Sequence, residues 1–198
     1  AFGAYLIDQP LMQNVLADLI IESEAALAMT MRIARAMDNK TTSKSEGLLV
    51  RIGTSIGKYW ICKRQPEHAY EAMECIGGSG VMESTIMPRL FKESPVNSIW
   101  EGSGNVQCLD MLRTMQKAPE CISAFMEELN LSQGKHVNLD SAITKLGREL
   151  SNHKEMEYRA RSIVELMAKT FQGAVLIRSG NSEIANAFCE SRLAPSSL

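Results

Sequence analysis

Ile99-Trp100-Glu101-Gly102-Ser103-Gly104-Asn105-Val106-Gln107-Cys108-Leu109-Asp110-Met111-Leu112-Arg113 sets one carboxylate in an unusual place. Glu101 follows a large aromatic residue and precedes two glycines, and from Asn105 onward Val106, Leu109, Met111 and Leu112 supply the apolar positions of a helix. The entrance of a helix leaves amide N–H groups unpaired and carries partial positive charge, which suits a phosphate or a reacting carbonyl oxygen. Gly102 and Gly104 let the backbone come close to such a ligand. Glu101 could equally be a first-turn acid that only stabilises its own helix, and the window alone leaves both readings open.

Upstream of this stretch the pattern is helical. Residues 7–37 carry Leu11, Val15 and Leu19 beside Met12, Leu16 and Ile20, with no breaker after Pro10, and predict one long helix with Asp8 as its cap. Its apolar side chains lie on more than one face, which implies burial inside a bundle or against another subunit. The polar run 38–45 reads as a loop. Residues 46–75 give a second helical pattern, in which Pro66 predicts a kink or a break into two helices near residues 64–67. Gly53 and Gly57, four apart, fit a close helix crossing. Three glycines within residues 77–80 cannot continue a helix and predict a tight loop, able to present N–H groups to a phosphate or simply to end the helix before it.

Downstream, the helix that begins at Asn105 fades near Pro119. Residues 120–131, 139–150, 155–177 and 182–193 read as four further helices, with a linker at 132–136. The expected fold class is all-α: an up-and-down helical bundle over residues 1–118 and a smaller helical extension over 119–198.

Composition narrows the function. The chain is 45% hydrophobic but only 6% aromatic, with 12 Met and 6 Pro, which favours helices packed on helices. A net charge of −2 gives no general attraction to nucleic acid or anionic membranes. The five cysteines lack CxxC spacing, and His68, His136 and His153 form no HExxH pair, so no disulfide framework and no metal site is readable. No apolar run is long enough to span a bilayer, so no membrane partner is expected and the reading is cytoplasmic. The sequence begins without Met and reads as part of a longer chain.

Taken in order and spacing, Ala1-Phe2-Gly3, the loop Glu74-Cys75-Ile76-Gly77-Gly78-Ser79-Gly80 and Ile99-Trp100-Glu101-Gly102-Ser103-Gly104-Asn105 resemble the C-terminal helical domain of the acyl-CoA dehydrogenase family. The extension, together with Trp-Glu-Gly-Ser-Gly-Asn and the Cys-Leu-Asp and Arg113 that follow, resembles the AidB branch of that family, flavoproteins associated with the adaptive response to DNA alkylation. The resemblance implies that Glu101 removes the α-proton of an acyl-CoA thioester while a β-hydride passes to FAD. A base in that role must reach a weakly acidic C–H, and removal from water raises its pKa towards neutrality. The resemblance further implies that Trp100, Ser103 and Asn105 stand beside the flavin, that Phe2 and Gly3 end a flavin-binding element, and that Glu74, Gly77, Gly78 and Gly80 reach the flavin of a neighbouring subunit.

Several departures weigh against catalysis by this chain alone. The arginine of the first flavin-binding element would precede Ala1, and the family's N-terminal helical domain and central β-barrel have no counterpart here. Trp100 replaces the usual tyrosine, Ser103 threonine, Asn105 glutamine and Glu74 glutamine. An indole beside the base narrows an acyl pocket, and a carboxylate at position 74 is a poorer neighbour for a pyrophosphate. The chain by itself is therefore expected not to retain FAD. The alternative function is binding: duplex DNA on Arg113, Arg178 and Arg192, or self-assembly to a dimer or tetramer. From Pro119 onward nine Lys and Arg face ten Asp and Glu, so a DNA face would need segregation of charge, its contacts being to phosphates and sensitive to salt.

Overall fold

The computed structural model describes residues 3–195. Among them every regular element is helical, eight α-helices joined by short turns and 3-10 segments. The helices are α1 (Pro10–Asn39), α2 (Lys44–Glu74), α3 (Met87–Glu93), α4 (Gly104–Lys117), α5 (Glu120–Asn130), α6 (Val137–Ser151), α7 (Met156–Ser179) and α8 (Ser182–Arg192).

α1 starts where Gln9 is extended and Pro10 takes the first helical position, for which its fixed φ is suited. Asp8, expected as the cap, lies instead in the 3-10 turn Leu6–Asp8. Ser43 caps α2 by accepting from the Glu46 N–H at 3.4 Å. Of the two outcomes expected at Pro66, a kink or a break, the break does not occur, and α2 runs through the proline as one helix. Its packing explains why: α1, α3, α4, α5 and α7 all lean on α2, so tertiary burial outweighs the lost backbone donor. Gly53 and Gly57 serve the close crossing expected of them. A methyl at Gly57 would stand 3.3 Å from Ile33 Cδ1 and 3.5 Å from Met29 Cε, both on α1.

α7 is the second axis of the molecule. It buries Ile163, Val164, Met167, Phe171 and Ala174 and packs on α1, α2, α4, α5, α6 and α8. The segments 1–118 and 119–198 therefore share one hydrophobic core, in which Met29, Ile52 and Met111 meet Phe125, Leu146 and Phe171. Polar pairs link the same helices. Trp60 Nε1 donates to Gln172 Oε1 at 3.1 Å in the buried interior, and Ser132 Oγ donates to the Ala174 carbonyl at 2.7 Å. Glu22 of α1 accepts from Arg64 of α2 at 2.9 Å and from Arg192 of α8 at 2.7 Å, and Arg192 also pairs with Asp18. No helix of the described residues is long and apolar enough to cross a membrane.

Candidate active site

The backbone turns sharply just before α4. Glu101 has φ +52°, the left-handed region that a β-substituted residue adopts at a cost, and Gly102 follows at φ +102°. Gln107, one turn into α4, braces this corner: its Nε2 donates to the Glu101 carbonyl at 3.0 Å and to the Gly102 carbonyl at 3.3 Å. A methyl at Gly102 would meet the same Nε2 at 2.5 Å, so glycine is required by the brace as well as by φ. The Glu101 side chain is exposed, and Trp100 beside it is 58% exposed.

Ser103 takes the N-cap position in extended conformation but makes no capping bond with its side chain. Gly104 packs against the Tyr59 ring, where a methyl would lie at 3.4 Å. Asn105 is also held, in an exposed contact, because Arg161 Nε on α7 donates to Asn105 Oδ1 at 2.8 Å. Further along α4, Asp110 takes two bonds from Arg51, at 2.7 and 2.9 Å, and one from Ser55 at 2.7 Å. Bonding to Arg51 holds the Asp110 carboxyl below its ordinary value against the opposing pull of burial.

The second motif lies elsewhere on the molecule. Gly77–Val81 forms a 3-10 turn directly after α2. Gly104 sits beside Tyr59, and Glu74 is fifteen residues further along α2, roughly 22 Å at a helical rise of 1.5 Å per residue. The two motifs thus lie half of α2 apart, one beside its middle and the other at its C-terminal end. Among the three glycines of the turn, Gly77 is needed for φ +65°, and Gly80 because a methyl there would stand 2.2 Å from the Met73 carbonyl oxygen. Gly78 has open space and an ordinary φ. Glu74 is exposed, and its hydrogen bond with Tyr70 is the main cause that raises the Tyr70 pKa. Gly3 is exposed at φ +81°, and Phe2 lies outside the described residues.

The three arginines expected at DNA differ in their settings. Arg113 is exposed on α4. Arg178 pairs with Glu128, and Arg192 with Asp18 and Glu22, so both of these cations already have carboxylate partners. Sequence reasoning missed Gln107 and Arg161. A polar residue six positions after Glu101 was a readable signal for the first; nothing in the sequence connects Arg161 to Asn105, 56 residues away.

An all-α bundle that carries an exposed carboxylate on strained backbone at a helix entrance defines the class of the molecule. The sequence model of the acyl-CoA dehydrogenase C-terminal domain matches residues 1–116, and the chain belongs to that family. It is 38% identical to AidB of Escherichia coli (strain K12) over 96% of this chain and 34% of that protein. With acyl-CoA dehydrogenase family member 11 of Caenorhabditis elegans the identity is 27%, over 93% of this chain and 34% of the relative. The short-chain specific mitochondrial acyl-CoA dehydrogenase of Bos taurus aligns over only 55% of this chain and 25% of its own length, at 28% identity. The crystal structure of Caenorhabditis elegans ACDH-11 in complex with C11-CoA superposes with a TM-score of 0.86 at 25% identity, over 96% of this chain and 37% of that one. The chain spans about a third of the length of AidB and of family member 11.

Proposed function

We propose that this chain is the C-terminal part of an AidB-like, flavin-dependent acyl-CoA dehydrogenase in which Glu101 removes the α-proton of an acyl-CoA thioester. The observation that carries the reading is the strained backbone of Glu101, fixed by Gln107 while its carboxylate faces outward. Strain of this kind persists where the surroundings over-determine it, and here it aims a carboxylate away from the core. A carboxylate becomes an effective base within hydrogen-bond reach of the proton and out of water, which the acyl chain and the remaining domains of a full-length protein would supply. FAD, when bound, supplies the acceptor for the β-hydride.

The residues beside Glu101 suit a flavin. Ser103 has an uncommitted hydroxyl, Asn105 has an anchored amide, and Trp100 offers an exposed ring. The turn Gly77–Val81 and Glu74, at the far end of α2, would serve the flavin of a neighbouring subunit, so that the working unit is a dimer or tetramer. Gly78, which has no structural need to be glycine, marks the point of closest approach. Phe2 and Gly3 would complete the flavin-binding element. This chain by itself would not hold FAD tightly, since most of the site belongs to other domains.

The test is Glu101→Gln in the full-length protein, assayed for acyl-CoA oxidation with an electron acceptor. The amide keeps the shape and loses the basicity, so turnover should fall by about 10²-fold or more while FAD stays bound. Unchanged turnover would put the base elsewhere. A second reading, assembly, is favoured by Leu11, Leu27 and Met31, which stand exposed on α1. A DNA-contacting face would rest on Arg113, the one of the three expected arginines that is not paired with a carboxylate.

A further inference from the structure

Asn105 occupies the first turn of α4, and an asparagine amide has an accepting end and a donating end whose directions are set by its partners. Arg161 supplies the partner. A guanidinium only donates, so its Nε at 2.8 Å fixes Oδ1 towards α7 and turns the two N–H bonds of Nδ2 away from it. The guanidinium itself lies along the helix entrance: a methyl on Gly104 would stand 3.9 Å from Arg161 Nη2 and 3.4 Å from the Tyr59 ring. Helix stability does not explain this placement. The start of a helix carries partial positive charge, and a cation there is of the wrong sign. What Arg161 gains at this position is the amide.

We infer that Arg161 is a positioning residue, which holds Asn105 with its amide donors directed out of the bundle towards an acceptor atom of the ligand bound beside Glu101. The inference rests on the reading of that ligand as flavin. It assigns a task to the extension, since Arg161 belongs to α7: the segment beyond residue 118 completes the polar lining of the helix entrance. The groove between α4 and α7, about 270 Å³, where this completion takes place, has Asn105, Arg161 and the carboxylate of Glu157 among its lining residues.

Two measurements test it. In the 198-residue chain, the side-chain amide signals of Asn105 in a ¹⁵N–¹H spectrum should shift on Arg161→Ala and stay in place on Arg148→Ala, an exposed arginine of α6 as control; Asn105 signals unmoved by Arg161→Ala would overturn the inference. In the full-length protein, Asn105→Asp offers Arg161 a better acceptor but has no donors left for the ligand. Its melting temperature should be held or raised while the FAD dissociation constant rises about tenfold, the equivalent of one lost hydrogen bond. Arg161→Ala should weaken FAD by a similar factor, and adding it to Asn105→Ala should cost nothing more, as expected for two residues acting as a unit. Asn105→Asp protein that melts earlier yet keeps its FAD affinity would mark the contact as purely structural and overturn the inference. A wild-type protein that binds no FAD would sink the flavin reading by itself, and the Asn105 signals would still decide whether Arg161 orients the amide.

Discussion

Arg32 Nε and Nη2 each donate to a carboxylate oxygen of Glu128 at 2.8 Å, across 96 residues of sequence. Arg32 also reaches Glu46, and Arg178 reaches Glu128, so the cluster ties α1, α2, α5 and α7 at one point. Burial pulls the Glu128 pKa up, but the hydrogen bonds from Arg32 and Arg178 prevail and the carboxyl titrates below its ordinary value.

Removing this carboxylate should be costly. Glu128 is 7% exposed, and Glu128→Ala would leave Arg178 without a carboxylate partner and Arg32 with Glu46 alone, a loss of about 3–5 kcal/mol measured by urea unfolding. The pH dependence has a definite sign. A depressed carboxyl contributes stability that is present above its ordinary value of 4.5 and is lost as pH falls through the lower folded value. Wild type should therefore lose melting temperature below pH 4.5 more steeply than Glu128→Ala. Parallel curves would show that other groups govern the acid limb.

Gly80 and Gly78 should behave oppositely. A methyl at Gly80 meets a backbone oxygen that cannot rotate away, so Gly80→Ala should cost about 1–3 kcal/mol. Gly78→Ala should change stability by less than about 0.5 kcal/mol. Equal effects in denaturant titrations would remove the distinction between the structural glycine and the one left open to a ligand.

Pro66 is tolerated rather than needed by α2. Pro66→Ala restores a backbone donor within an established helix and should stabilise the chain by about 1–3 kcal/mol, read as a higher melting temperature. A lower melting temperature would mean that the ring makes contacts worth more than the missing hydrogen bond.

Leu27 and Met31 are 55% and 59% exposed, one turn apart on α1. Light scattering should find the chain as a dimer or tetramer, and the double substitution Leu27→Glu, Met31→Glu should reduce its mass. Monomeric wild type at micromolar concentration would contradict self-assembly through this face.

The order and type of the helices were legible because apolar residues recur with helical period and the breaks fall at glycine, proline and polar runs. Gly53 and Gly57 were legible for the same local reason. Of the kink or break read at Pro66, the break is excluded, because a propensity that breaks an isolated helix is overruled when five neighbours pack on it. Glu101 stood out in its window, yet its left-handed backbone and the Gln107 brace are properties of the folded corner. The partners of Asn105, Arg178 and Arg192 could not be read at all. They are chosen by the crossing of α7 with α4 and α5 and of α8 with α1, and no short-range pattern records which charges will meet.

The Arg192 contacts carry a consequence for the order of events during synthesis. Asp18 and Glu22 lie 174 and 170 residues before their partner, so α1 leaves the ribosome long before α8 exists to close on it. Contacts over such a span form only after the entropy of the intervening loop has been overcome, which makes them slow. α7 arrives almost as late, and it is the helix around which Met29, Ile52 and Met111 find their far-side neighbours. The pairing of α1 with α2 can form early, but a polypeptide halted before Met156 would display Glu101 and its helix packed on α2 without the face that α7 supplies.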